Sequence, residues 1–150
     1  MIQKLRKRSR SESGFTLVEL LVVMLILGLL AAIAIPSFFN QRDKARDADA
    51  KASVRTAQTG METYATDNGN DGYLNADVDI LRSIEETLND ADLSVVSATE
   101  DDYEVQVASS TGENSFQIIR NADGTVELTC TTPTVGEAND GCRADGTWGD

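Results

Sequence analysis

The sequence predicts an α+β fold in which one long N-terminal helix packs on a small antiparallel sheet of three or four strands. An apolar run at residues 15–35 continues into an alanine-rich stretch with helical spacing that ends near residue 65. Short segments of alternating apolar and polar residues appear only after residue 100. Helix first and strands afterwards is the order typical of the α+β class.

Charge divides at the start of the apolar run. The chain carries a net charge of −12, yet its first 14 residues are basic, with Lys4, Arg6, Lys7, Arg8 and Arg10 against Glu12 alone. We expect the basic end to stay in the cytoplasm and the acidic part to cross the membrane. A body this acidic would repel phosphates, so no direct binding of nucleic acid is expected.

The apolar run is long enough to cross a bilayer. From Phe15 to Ile35 only Thr16 and Glu19 carry polar side chains, and a spanning helix needs roughly 20 residues. Three interpretations compete on these residues alone. The run is a secretory signal cleaved after Ala34, an uncut anchor, or a segment that stays on the protein after cleavage between Gly14 and Phe15.

The helix is predicted to run from Phe15 to about Ala65, apolar all round in its first half and amphipathic in its second. Gly28 and Pro36 are its predicted weak points, since glycine is a poor helix former and proline removes a hydrogen bond. The apolar stripe of the second half, which we expect to form a core face, consists of Ala50, Val54, Ala57, Met61 and Tyr64.

The remaining elements are short. A turn cluster at 66–72 ends the helix, and a second helix capped by Asp77 should carry Ile80, Leu81, Ile84 and Leu88 on one face. Strands are predicted at 103–107, 116–119 and 125–130, with a hairpin turn at 121–124 between the last two. Residues 131–150 look like a loop.

Cys130 and Cys142 are the two cysteines of the chain. In an exported domain such a pair is expected to form a disulfide, which would add about 3 kcal/mol to stability; two free thiols are the alternative. A zinc site is not expected because the chain has no histidine. The acidic loops at 67–71 and 137–145 are predicted to be solvated rather than to bind calcium, because neither has the spacing of a calcium loop. No metal, cofactor or enzymatic activity is predicted.

Glu19 needs a partner, since a carboxylate near the start of a spanning helix is costly to leave alone. Cleavage before Phe15 would create an α-amino cation four residues from Glu19. That amine could pair with Glu19 of the same chain or of a neighbour, and the helix dipole also favours a negative charge in the first turn.

The segment that begins Gly14-Phe15-Thr16-Leu17-Val18-Glu19 and continues to Val23 resembles the type IV pilin motif. The resemblance extends to residues 31–45 and 64–69 and includes pilins of Gram-positive or actinobacterial type. It implies a pilin-like fold, cleavage after Gly14 by a prepilin peptidase, and N-methylation of Phe15. It also implies that Glu19 acts in filament assembly by pairing with the N-terminal amine of an adjacent subunit. Gly28 and Pro36 fall where the family carries a glycine and a proline, and the cysteines resemble the pilin disulfide loop.

The resulting division of the chain has three parts: a leader at 1–14 that is removed, a transmembrane and filament-core helix at 15–36, and an exported globular domain at 37–150. The first functional hypothesis is a structural subunit of a type IV pilus, membrane-held before assembly by inner-membrane machinery and on the cell surface afterwards. Adhesion, twitching motility and DNA uptake all use this subunit plan. The second hypothesis is a pseudopilin of a type II secretion or competence system. The third is a membrane-anchored binding module that never assembles.

Overall fold

The computed structural model describes residues 14–134, 136 and 141–149, and the chain divides into two compact units, Met1–Phe38 and Phe39–Asp150. The long helix α1 (Leu17–Asn68) contributes residues to both units. After a 3₁₀ turn at Gly69–Asp71 come the short helix α2 (Val78–Ile84) and a second 3₁₀ turn at Glu86–Asp90. Four strands follow: β1 (Asp92–Ala98), β2 (Tyr103–Ala108), β3 (Ser115–Arg120) and β4 (Val126–Thr131).

Helix α1 begins two residues later and ends three residues later than the sequence predicts. It continues without interruption through Gly28 and Pro36, and the loosening expected at these residues stays a prediction about the assembled state. Beyond its last residue the chain turns sharply at Gly72, which has a φ of +54°. A Cβ atom there would lie 1.8 Å from the carbonyl oxygen of Glu100, so only glycine fits this crossing.

The four strands form one antiparallel sheet in the order β1-β2-β3-β4, which confirms the α+β prediction. The three predicted strands are present with shifts of at most one residue at their ends, and the hairpin turn is closed by a 2.8 Å bond from Gly124 N to Asn121 O. Strand β1 was not predicted. Its register with β2 shifts between Val95 and Ser97, and this irregularity breaks the alternation that would have revealed a strand.

The core of the second unit lies between α1 and the inward face of the sheet. As predicted, the stripe of α1 is buried, with Tyr64 half-buried at its end. The sheet contributes Tyr103, Val105, Val107, Phe116 and Ile118. The α1 stripe therefore holds the sheet, which is the packing expected for an amphipathic helix on a half-buried sheet.

Helix α2 covers one end of this core. Asp77 caps it as predicted, because its Oδ1 accepts a 2.8 Å bond from Ile80 N. Leu81 and Leu88 are both buried, but Leu88 lies in the second 3₁₀ turn and not in the helix where the sequence places it. The helix ends at Ile84 because the next residue, Glu85, is extended.

Candidate functional site

The first turn of α1 holds Thr16 and Glu19 in a reciprocal arrangement. Glu19 Oε2 accepts bonds of 2.9 Å from both the backbone N–H and the hydroxyl of Thr16. In return, the Thr16 hydroxyl oxygen accepts a 3.2 Å bond from the Glu19 backbone N–H. This is a capping box, which satisfies donors that the start of a helix otherwise leaves without partners.

The capping box gives Glu19 a partner inside its own chain that the sequence reasoning overlooked. The spacing of a threonine followed three residues later by a glutamate, just before an apolar run, is the signature that would have found it. Gly14 and Phe15 precede the helix, and both are exposed, Phe15 to 82%. The predicted cleavage point thus lies in exposed chain without regular secondary structure, directly before the cap.

The segment from Phe15 to Phe39, which includes the first part of α1, has a largely apolar and uncovered surface. Every large apolar side chain in this segment is exposed, and the helix is long and apolar enough to cross a membrane. A monomer in water does not leave such a continuous apolar area exposed, so it requires lipid or another apolar surface. Gly28 lies on this uncovered helix, and no other atom is within 4 Å of the point where its Cβ would stand. This packing space is the kind that close helix–helix approach uses.

The predicted disulfide between Cys130 and Cys142 is present, with the two Cα atoms 5.8 Å apart. It joins β4 to the C-terminal segment, which is less loop-like than predicted. Thr147 forms an isolated antiparallel bridge with Thr129 of β4. The disulfide therefore holds a short fifth stretch of extended chain beside β4, at the edge of the sheet.

Trp148 anchors this segment, and the sequence reasoning did not single it out. Its side chain is only 4% exposed, and its Nε1 donates a 3.1 Å bond to the carbonyl oxygen of Gln117. The indole packs edge-on against Phe116 at 5.8 Å between ring centroids, with the Arg55 guanidinium 5.0 Å from the indole centroid. A lone tryptophan after the last cysteine was the available signal, because buried aromatics dominate core energetics.

A polar cluster centred on Glu62 connects α1 to strands β2 and β3. Glu62 accepts hydroxyl bonds from Tyr73 at 2.8 Å and Tyr103 at 3.0 Å, and Arg120 Nε lies 3.3 Å from Glu62 Oε1. Burial raises the pKa of Tyr73 to about 12, and the neighbouring Glu62 carboxylate adds to this effect. The same two causes raise the pKa of Tyr103. Both hydroxyls are thereby kept protonated and donating.

The free energy of unfolding should fall as pH rises above about 10, where an ordinary tyrosine ionises. The raised pKa values mean that the folded state holds both phenol protons more tightly than the unfolded state. This stabilisation is complete below pH 10 and is lost as pH rises through the folded pKa values. Urea unfolding across this range measures it. Glu62→Gln should make the loss smaller, because without the carboxylate the folded-state pKa values are raised less while the unfolded-state values stay the same. If the double variant Tyr73→Phe/Tyr103→Phe shows the same alkaline loss as the unmodified chain, the explanation is wrong.

The acidic loops do not bring metal ligands together among the described residues. No group of three or more Asp, Glu, Cys or His side chains suited to a metal occurs in that part of the chain. Residues 137–140 of the second loop lie outside the described residues. Within the rest of that loop, Asp145 Oδ1 accepts bonds of 3.0 Å and 2.6 Å from the backbone N–H and hydroxyl of Thr147, which lower the pKa of Asp145.

The family model described as "Prokaryotic N-terminal methylation motif" matches residues 9–35. A fimbrial protein of Pseudomonas aeruginosa is 30% identical over 122 residues, which cover 81% of this chain and 69% of that protein. The type IV wide pilus major component PilA4 of Thermus thermophilus is 35% identical over 94 residues, which cover 63% of this chain and 71% of that protein.

A third group of relatives matches over a shorter length. The type II secretion system core protein G of Pseudomonas aeruginosa is 39% identical over 59 residues, which is 39% of this chain and 42% of that protein. The core protein G of Aeromonas hydrophila is matched over 43% of its length. The chain therefore spans about two fifths of these secretion proteins, whereas the match to the fimbrial protein extends across most of the chain.

Proposed function

Because this chain belongs to the type IV pilin family, we propose that it is a structural subunit of a type IV pilus, assembled through the apolar half of α1. The observation that carries the proposal is the uncovered apolar surface of that helix segment, in a chain whose second unit has a core of its own. An enzyme of this family would be unexpected, since the matched relatives are structural proteins.

The proposed maturation begins at the first turn of α1. A prepilin peptidase would cut between Gly14 and Phe15, remove residues 1–14 and leave residues 15–36 in the membrane, with N-methylation of Phe15. Accessible chain before the Thr16 cap supports cutting at this point. The basic leader and the acidic exported domain support this orientation, with the leader in the cytoplasm.

Assembly would exchange lipid contact for contact between helices. The apolar segments would bundle at the centre of the filament, where the space beside Gly28 permits close approach. Glu19 would bridge from the capping box of its own helix to the Phe15 amine of an adjacent subunit. This ion pair would lie in an apolar environment, where an unpaired carboxylate is strongly disfavoured.

A pseudopilin of a type II secretion system is the second candidate. It is favoured by the 39% identity with the core protein G, which is higher than the identity with the fimbrial protein. That match covers only 39% of this chain. The pilus subunit is preferred because its relatives also match the folded second unit.

Shearing of the producing cells tests the proposal. The sheared fraction should contain this protein with an intact mass and N-terminal sequence that begin at N-methylated Phe15. A chain that begins at Ile35 would show an ordinary secreted domain and contradict the proposal. A Phe15 start confined to the membrane fraction would favour the pseudopilin.

A further inference from the structure

A buried carboxylate on α1, that of Asp47, has one oxygen without a hydrogen-bond partner among the described residues. Asp47 is only 2% exposed, and its Oδ2 accepts a 2.6 Å bond from Asn114 Nδ2. Its Oδ1 is buried and has no hydrogen-bond partner among the described residues. An unsatisfied buried acceptor is rare in folded proteins and requires an explanation.

The Lys51 amine lies beside this carboxylate, one helical turn further along α1. Its Nζ is 5.0 Å from the centroid of the Phe116 ring and 6.0 Å from that of Trp148. A Cβ atom on Gly141 would stand 2.7 Å from Lys51 Nζ and 3.4 Å from Asp47 Cβ, so the glycine leaves room for the amine next to Asp47. Burial is the main cause that lowers the pKa of Lys51, which favours the neutral, nucleophilic form of the amine.

The Asn114 amide is the third member of the cluster. Asn114 is 4% exposed and directly precedes β3, two residues before Phe116. Residues two apart in extended chain share a face and lie about 7 Å from each other. The Lys51 amine lies over the Phe116 ring, and the Asn114 amide is bonded to Asp47, one helical turn before Lys51. Rotation of the flexible Lys51 side chain would bring its amine to the Asn114 amide carbon.

We propose that Lys51 and Asn114 become joined by an intramolecular amide bond, with Asp47 as the proton relay between the two nitrogens. The neutral Lys51 nitrogen attacks Cγ of Asn114, and the N–Cγ bond forms. Asp47 takes a proton from the attacking nitrogen on Oδ1, the oxygen that lacks a partner. A proton passes from the same carboxyl, through Oδ2, to the Nδ2 nitrogen, and the Cγ–Nδ2 bond breaks to release ammonia. No oxidant, metal or cofactor is consumed.

The environment of the Lys51 amine also favours amide formation. Phe116 and Trp148 cover one side of the amine and shield it from water, which limits hydrolysis of the product. The bond would link α1 covalently to the start of β3. In a filament subunit, tension on the helix would then reach the sheet through a covalent bond as well as through packing.

Mass spectrometry of the full chain tests the proposal directly. The intact protein should be lighter by one ammonia than its sequence and its disulfide require. After reduction and trypsin digestion, the peptide that carries Lys51 should appear joined to the peptide that carries Asn114, with no cleavage at Lys51. A full-length mass that retains this ammonia, in protein whose disulfide has formed, would overturn the proposal.

Three variants separate the roles of the cluster. Lys51→Arg keeps a long basic side chain but has no nucleophilic amine, and it should retain the ammonia. Asp47→Asn should also retain it, because the relay is lost. Asn114→Asp should still form the link but lose one water instead of one ammonia. Fluorescence of Trp148 reports whether each variant is folded, and ammonia loss in folded Lys51→Arg would assign the mass change to another site and contradict the proposal.

Discussion

Replacement of Glu19 with alanine is expected to leave the protein cleaved and held in the membrane but absent from sheared filaments. The carboxylate would be lost both from the capping box with Thr16 and from the proposed pair with the Phe15 amine of a neighbour. Without it, that amine would enter the filament core as an unpaired cation, which is strongly disfavoured. The amounts of protein in the sheared and membrane fractions measure the effect.

Thr16→Ala is the matched control for this variant. It removes the hydroxyl that bonds to Glu19, but it keeps the Glu19 carboxylate and the backbone N–H of residue 16 that donates to this carboxylate. If pairing between subunits is the essential role of Glu19, Thr16→Ala should still assemble. Equal loss of filaments in both variants would assign the effect to the helix start, and normal filaments in Glu19→Ala would refute the pairing.

Trp148→Ala should lower the free energy of unfolding by about 3–5 kcal/mol, the usual range for truncation of a large buried aromatic. The indole fills the space beside Phe116 and under Arg55, and its loss would leave a cavity between α1 and the sheet. Urea unfolding followed by circular dichroism measures the change. Trypsin should also cut faster after Arg143, whose backbone N–H bonds to Thr147 O in the segment that Trp148 anchors.

Trp148→Phe serves as the control for the anchor. It keeps most of the apolar bulk and removes the bond from Nε1 to the Gln117 carbonyl oxygen. A hydrogen bond of this kind is worth about 1 kcal/mol, so this variant should be destabilised much less than the alanine variant. Equal stability of Trp148→Ala and the unmodified chain would mean that the disulfide alone holds the C-terminal segment.

The order of the main helix and of three of the four strands could be read from the sequence. Hydrophobic periodicity is a local property, so the stripe from Ala50 to Met61 and the alternation around Val105 identified the core faces without any knowledge of contacts. The Asp77 cap and the turn before Gly124 were equally readable, because each depends on residues within a few positions along the chain. The disulfide between Cys130 and Cys142 could be predicted from the expectation that this part of the chain is exported.

Contacts between residues that are distant along the chain became visible only in the folded structure. Strand β1 escaped prediction because the register shift after Val95 breaks its alternation, and pairing with β2 alone makes it a strand. Trp148 and Asn114 look like ordinary loop residues in the sequence. The fold brings Trp148 beside Lys51 and brings Asn114 to Asp47, which is 67 positions away along the chain. Burial and desolvation depend on what the whole fold places around a side chain, and for that reason the Asp47 cluster could not be found from residue spacing.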